Sequence, residues 1–179
     1  MLPTARVGFV IAVVSAWSAQ AEVILGLGPL FSLGGPVEPH SKVLEGGVGG
    51  EFTVNGAQLP LSLTGGLFAQ AEAVDFRRLR IDAGGQVSWS RLLGVELGGG
   101  YVGSDGTHAS ALTLHLAPYF ALPIAQLGEG SLIDSGPKPW GIIATTVALR
   151  IDVPVVALDA RPQAPPDAEA VLTIKIVRL

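Results

Sequence analysis

Alternation with a period of two constrains this chain more than any other feature. Between Leu79 and Ser90, one face carries Leu79, Ile81, Ala83, Gly85, Val87 and Trp89, and the other Arg80, Asp82, Gly84, Gln86, Ser88 and Ser90. Successive side chains of a strand point to opposite sides, so the segment reads as a β-strand with one apolar and one polar face. The stretch from Leu93 repeats the pattern, with Leu93, Val95, Leu97, Gly99 and Tyr101 apolar and Glu96 opposed. From Ala109 the apolar set moves to even numbers: Leu112, Leu114, Leu116, Pro118 and Phe120, with Thr113, His115 and Tyr119 between them. The whole chain predicts eight strands, near 23–33, 43–54, 59–73, 77–89, 93–103, 109–121, 141–155 and 169–179. No run of about 18 apolar residues follows residue 21, so helical membrane spans are excluded.

Residues 1–21, MLPTARVGFVIAVVSAWSAQA, have a different character. A single Arg6, an apolar stretch from Val7 to Trp17 and the closing Ala19-Gln20-Ala21 are the three parts of a cleaved export signal. The expected mature chain starts at Glu22, one domain over 22–179, and loses Arg6, so its formal charge moves from −4 to −5. The absence of cysteine excludes disulfides, thiolate metal sites, thiol nucleophiles and a lipidated cysteine anchor, and suits a bacterial envelope. Eleven basic residues in an acidic chain give no nucleic-acid footprint. There is no Walker loop, zinc-finger spacing or EF-hand pattern, and the three histidines are scattered, so no metal or cofactor is expected.

Antiparallel pairing must keep apolar residues opposite apolar ones, which tests where the turns lie. A two-residue turn at Asn55-Gly56, a strong hairpin signal, pairs Val54 with Ala57 and Gly46 with Gly65. A turn centred on Asp75 pairs Gly65 with Gly85 and Gly66 with Gly84. One centred on Arg91 pairs Trp89 with Leu93 and Gly84 with Gly98. The loop Ser104-Asp105-Gly106-Thr107 pairs Leu97 with Leu114 and Gly99 with Leu112. All four turns keep the faces consistent, and they draw a band of glycine across strands two to five. Such a band provides either curvature or room for crowded inward side chains.

Charge is sparse: 15% of residues, against about 25% in ordinary soluble domains. Aromatic residues are expected in two girdles, Phe31, Phe76 and Tyr101 at the outer strand ends and Phe52, Trp89, Phe120 and Trp140 at the periplasmic ends. Membrane barrels carry such girdles at the headgroup levels. The fold class expected is therefore all-β: an eight-stranded antiparallel up-and-down transmembrane β-barrel. In strand count, alternation and girdles the chain resembles the small eight-stranded outer-membrane barrels of the OmpA-transmembrane-domain and OmpX type. The resemblance implies location in the outer membrane of a Gram-negative cell, contact with outer-membrane lipid, and assembly by periplasmic chaperones and the barrel-assembly machinery. Two departures stand out. The chain ends Ile176-Val177-Arg178-Leu179 rather than in an aromatic residue, and the segment 122–139 is long for a periplasmic turn, room for a small helix or plug.

The polar faces define a candidate lumen network of Glu72, Arg78, Arg80, Gln86, Glu96, His115, Arg150, Asp152 and Lys175. The expected neighbours are Arg78 with Glu72, Arg80 with Gln70, and Glu96 between Gln86 and His115. An eight-stranded interior is just wide enough for side chains, so this network predicts a plugged barrel with no open pore. Function would then be structural or reside in surface recognition by loops near 34–42, 74–76, 103–108 and 156–168, the ligand being unspecified. Two catalytic arrangements are the alternatives. Glu96 and His115 could orient and supply a general base, with Thr113 or Ser88 nearby. His108-Ala109-Ser110 at the outer rim looks like the His and Ser of the outer-membrane lipid A deacylase family, with Ala111 where that family has asparagine. That resemblance implies a lipid hydrolase. His40, in the first outer loop, has no evident partner. A third alternative is a soluble periplasmic lipocalin-like carrier, with the apolar face turned inward.

Overall fold

A computed structural model describes residues 23–37, 44–59, 63–90, 92–128 and 141–178. The predicted signal segment, His40, Trp140, the Arg91-centred turn and Leu179 lie outside the described residues.

Eight strands run in order as β1 (Ile24–Pro36), β2 (Glu45–Leu59), β3 (Leu63–Val74), β4 (Arg78–Trp89), β5 (Leu93–Val102), β6 (Ala111–Leu127), β7 (Gly141–Ala157) and β8 (Asp167–Arg178). Each pairs antiparallel with its sequence neighbours, and β1 pairs with β8 to close the barrel. Closure satisfies the backbone groups of both edge strands, which would otherwise stay unpaired. The segment from Leu122 to Leu127, expected in a turn, continues β6 instead, with an irregularity between Pro123 and Ala125.

The expected pairing of β4 with β5 is found, Trp89 with Leu93 and Gly84 with Gly98. The neighbouring hairpins keep their faces but slip by an even step. Gly65 pairs with Val87 and Gly66 with Gln86 across β3 and β4, while Leu97 pairs with Leu116 and Gly99 with Leu114 across β5 and β6. The largest correction concerns Asn55-Gly56, which lies inside β2 rather than at a turn. Val54 pairs with Leu67, and the register shifts between Asn55 and Ala57, so Gly56 is the extra residue of a bulge. The Asp75 turn is real: Asp75 and Phe76 both have positive φ, at 49° and 54°. Asp75 braces that strained backbone by donating its N–H to the Gly46 carbonyl at 2.7 Å and accepting from the Gly46 N–H at 2.9 Å.

The polarity is that of an inverted protein. Leu97 and Leu114 are each 58% exposed on the outside, whereas Arg80 and Arg150 are each 1% exposed within. The described interior buries charge, hydroxyls and amides together with apolar Leu30, Phe68, Val74 and Val171.

Part of the glycine band is explained by room. Phe68, Gly84, Gly98, His115 and Asp152 are successive Cα partners across β3 to β7. The two bare positions leave Phe68 and His115 to meet, ring centroids 5.0 Å apart. At Gly47 an added Cβ would fall 1.6 Å from Glu72 Oε1. Close backbone approach bars a side chain there too: a Cβ on Gly84 would lie 2.2 Å from the Leu97 carbonyl oxygen.

Candidate functional site

All nine residues predicted for the lumen network are buried inside the barrel: Glu72, Arg78, Arg80, Gln86, Glu96, His115, Arg150, Asp152 and Lys175. Near the end that holds the Asp75 turn, here the upper end, guanidinium groups dominate. Arg80 donates from Nη1 to Glu169 Oε2 at 2.6 Å and from Nη2 to Asp167 Oδ2 at 2.7 Å. Arg150 Nη2 donates to Glu72 Oε2 at 2.5 Å and also bonds Glu169. Arg78 is paired with Glu45, and the Ser32 hydroxyl bonds Glu72. The expected partners are corrected here. Arg80, not Arg78, is the register partner of Glu72, at 3.9 Å, and Gln70 stands opposite Asp82.

Midway down, His115 Nδ1 lies 2.9 Å from Asp152 Oδ1 and 3.9 Å from Asp82 Oδ2. Its Nε2 lies 3.6 Å from Glu96 Oε2, which accepts a hydrogen bond from Gln70 Nε2 at 3.0 Å. Glu96 is between Gln86 and Ala117 in register, so its approach to His115 is diagonal. Lower still, Lys175 pairs with Glu51, and Thr173 donates to Glu51 at 2.9 Å. Gln86 donates to Asn55 at 2.7 Å. A cavity of about 120 Å³ follows, lined by Thr53, Asn55, Thr64, Ser88, Tyr119 and Lys175 among others.

Among the described residues this interior holds Glu45, Glu51, Glu72, Asp82, Glu96, Asp152, Asp167 and Glu169 against only Arg78, Arg80, Arg150 and Lys175. Sequence reasoning missed Glu45, Glu51, Asp82 and Glu169 as members, although strand parity turned them inward, and Asp167, which lay in the expected loop before β8. Among the described residues these side chains occupy much of the barrel interior. His115 is 2% exposed within it.

The upper rim is held by a second, partly exposed network. His108 Nδ1 lies 2.9 Å from Asp105 Oδ2, the acid that sequence reasoning did not find. Asp105 Oδ1 also accepts the N–H groups of Thr107 and His108, each at 2.7 Å. Partial burial alone would push the Asp105 carboxyl up; these hydrogen bonds outweigh it and hold the group down at about 2. Arg161 reaches across from the β7–β8 loop to the Ser104 hydroxyl, which itself donates to the His108 carbonyl at 2.8 Å. Ser110 donates its backbone N–H to Asp159 at 3.1 Å, and hydrogen bonds from the Arg161 and Ser110 amides keep that carboxyl below its ordinary value. The His108 ring and the Ser110 hydroxyl are not joined by a hydrogen bond among the described residues.

Phe31, Phe52, Phe76, Trp89 and Phe120 are exposed, and Tyr101 is half-buried. Phe76 sits in the upper turn and Trp89 at the lower end of β4. Phe31 and Phe52 lie deeper along their strands than expected, because β1 and β2 run on to Pro36 and Leu59.

Comparison with protein-family models, curated proteins and solved structures finds no match to this chain.

Proposed function

We propose that this chain is an integral outer-membrane β-barrel protein of a Gram-negative envelope, structural or recognition-bearing, with a filled interior and no conducting pore. One observation carries the reading: large apolar side chains cover the outside of a closed barrel while charged and polar side chains are buried on its inside. In water that distribution exposes apolar surface and buries charge, both unfavourable; in a bilayer the outer face meets hydrocarbon. The strands, of ten to seventeen residues, suffice for tilted crossing. The rim loops around Ser104–Ser110 and Asp159–Pro162, tied together by Arg161, are then the surface available for recognition. Partners implied by this reading are outer-membrane lipid and the chaperone and assembly factors that deliver barrels. The OmpA and OmpX likeness supports it as architecture alone.

The test is gel mobility of envelope protein after a carbonate wash, boiled against unboiled. A pelleted protein whose mobility changes on boiling supports the proposal. Release into the wash with one mobility would overturn it. A second reading, a rim lipid hydrolase, is favoured by the Asp105–His108 contact, which supplies an orienting acid. Absence of lipid deacylation by the folded wild type, or activity undiminished in His108→Ala, would remove it.

A further inference from the structure

We infer that Asp82, His115 and Asp152 form a buried site for one divalent transition ion of zinc-like chemistry, linking β4, β6 and β7 inside the barrel. One donor atom from each residue lies within 4.8 Å of the others, and all three residues are buried. The measured separations of 2.9 Å and 3.9 Å from His115 Nδ1 bracket the roughly 3.3 Å between ligands of a tetrahedral ion with bonds of about 2.0 Å.

Proximity alone would describe a knot of acids; the hydrogen bonding goes further. Asp82 is 0% exposed, yet neither of its carboxylate oxygens has a hydrogen-bond partner. A buried carboxylate left so is costly and calls for a cation or a proton. It rests on bare backbone, since a Cβ on its register partner Gly100 would lie 1.8 Å from Asp82 Oδ1. The hydrogen bonds of Arg80 and Arg150 go to Glu72, Asp167 and Glu169, and neither arginine donates to Asp82.

The surroundings have the form of a metal site's outer shell. With Nδ1 on the ion, His115 carries its hydrogen on Nε2, which faces Glu96 Oε2 at 3.6 Å and has no other partner. A carboxylate behind a ligating imidazole fixes the tautomer and raises ligand basicity. The free oxygen of Asp152, Oδ2, faces Arg150 Nε at 3.5 Å and Arg80 Nε at 3.6 Å, which orient it. One imidazole with two carboxylates suits zinc, manganese or ferrous iron rather than calcium or magnesium, which take all-oxygen sets. Two positive charges also offset half of the surplus of carboxylates over strong cations in this interior. The inference does not depend on the membrane reading.

The experiment refolds the full chain in detergent with Zn2+ or with chelator, then removes free ion and counts zinc per folded chain. Folding is scored by gel mobility. We expect one zinc per chain, an X-ray absorption edge showing imidazole and oxygen scatterers, and at least about tenfold weaker retention in Asp82→Asn and His115→Gln. Folded wild type without zinc overturns the proposal, as does retention unchanged in both variants. Zinc lost in His108→Ala but kept in Asp82→Asn would place the ion at the rim and also overturn it. If neither Asp82→Asn nor His115→Gln folds, the wild-type edge decides: absence of imidazole scattering refutes the site.

Discussion

The upper and lower halves of the interior solve the same filling problem with different chemistry. Above, Arg78, Arg80 and Arg150 interlock with Glu45, Glu72, Asp167 and Glu169. Below, Thr53, Asn55, Thr64, Ser88 and Tyr119 surround an open cavity. A buried charge needs its partner at contact distance, so the ionic half draws its side chains into a plug. Hydroxyls and amides are satisfied by a few waters as well as by each other, so the lower half, where Lys175 and Glu51 are the charged pair, tolerates space.

That contrast is testable at four points. The largest expected effect is Arg150→Ala, which takes one guanidinium from Glu72 and Glu169, leaving them Ser32 and Arg80, and should lower unfolding free energy by about 3 kcal/mol in detergent denaturation. A loss no larger than that of Thr146→Ala in the lower half would break the comparison. Next, Gly47→Ala puts a methyl onto Glu72 Oε1 and should cost about 1–3 kcal/mol by the same measurement. The lower half should respond oppositely. Ala144→Val points a larger side chain into the cavity and should leave stability unchanged or raise it by up to about 0.5–2 kcal/mol. Destabilisation there would mean that the cavity is as tightly determined as the plug.

The smallest effect lies at the rim. Because the folded Asp105 carboxyl is depressed to about 2, its contribution is complete above its unfolded value and is lost as pH falls through the folded one. Amide exchange at Thr107 and His108 should therefore stay protected at pH 5 and quicken, after correction for intrinsic rates, between about pH 4 and pH 2. Asp105→Asn should remove that pH dependence. Unchanged exchange across the range would show that the loop is held by Arg161 alone.

Strand count and facing were legible because both depend on parity, which the alternation of Leu79–Trp89 or Leu112–Phe120 displays directly. Offset along the barrel was not, since slipping by an even number of residues leaves every face intact. Leu97 looks equally well placed opposite Leu114 or Leu116, and only the turn between the strands distinguishes them. Asn55-Gly56 misled for a related reason: the glycine that suits a tight turn also suits a bulge, and the alternation around it does not separate the two. The network was legible as a set but not as a wiring diagram. Arg80 reaches Glu169, 89 residues away, through a closure that no local pattern announces. Asp105 was hidden differently, inside a loop where three-residue spacing to His108 carries no face information.

Pairing of β1 with β8 has a consequence for how the molecule is made. Leu25 meets Arg178 and Leu30 meets Thr173, so the seam joins opposite ends of the described chain. Contacts so distant in sequence form slowly, and β1 has a naked edge until the final strand arrives. The Arg80–Glu169 and Lys175–Glu51 pairs span the same interval, so the core charges also wait for that strand. Removing β8 would therefore open the barrel and take Glu169 and Lys175 from the interior at once.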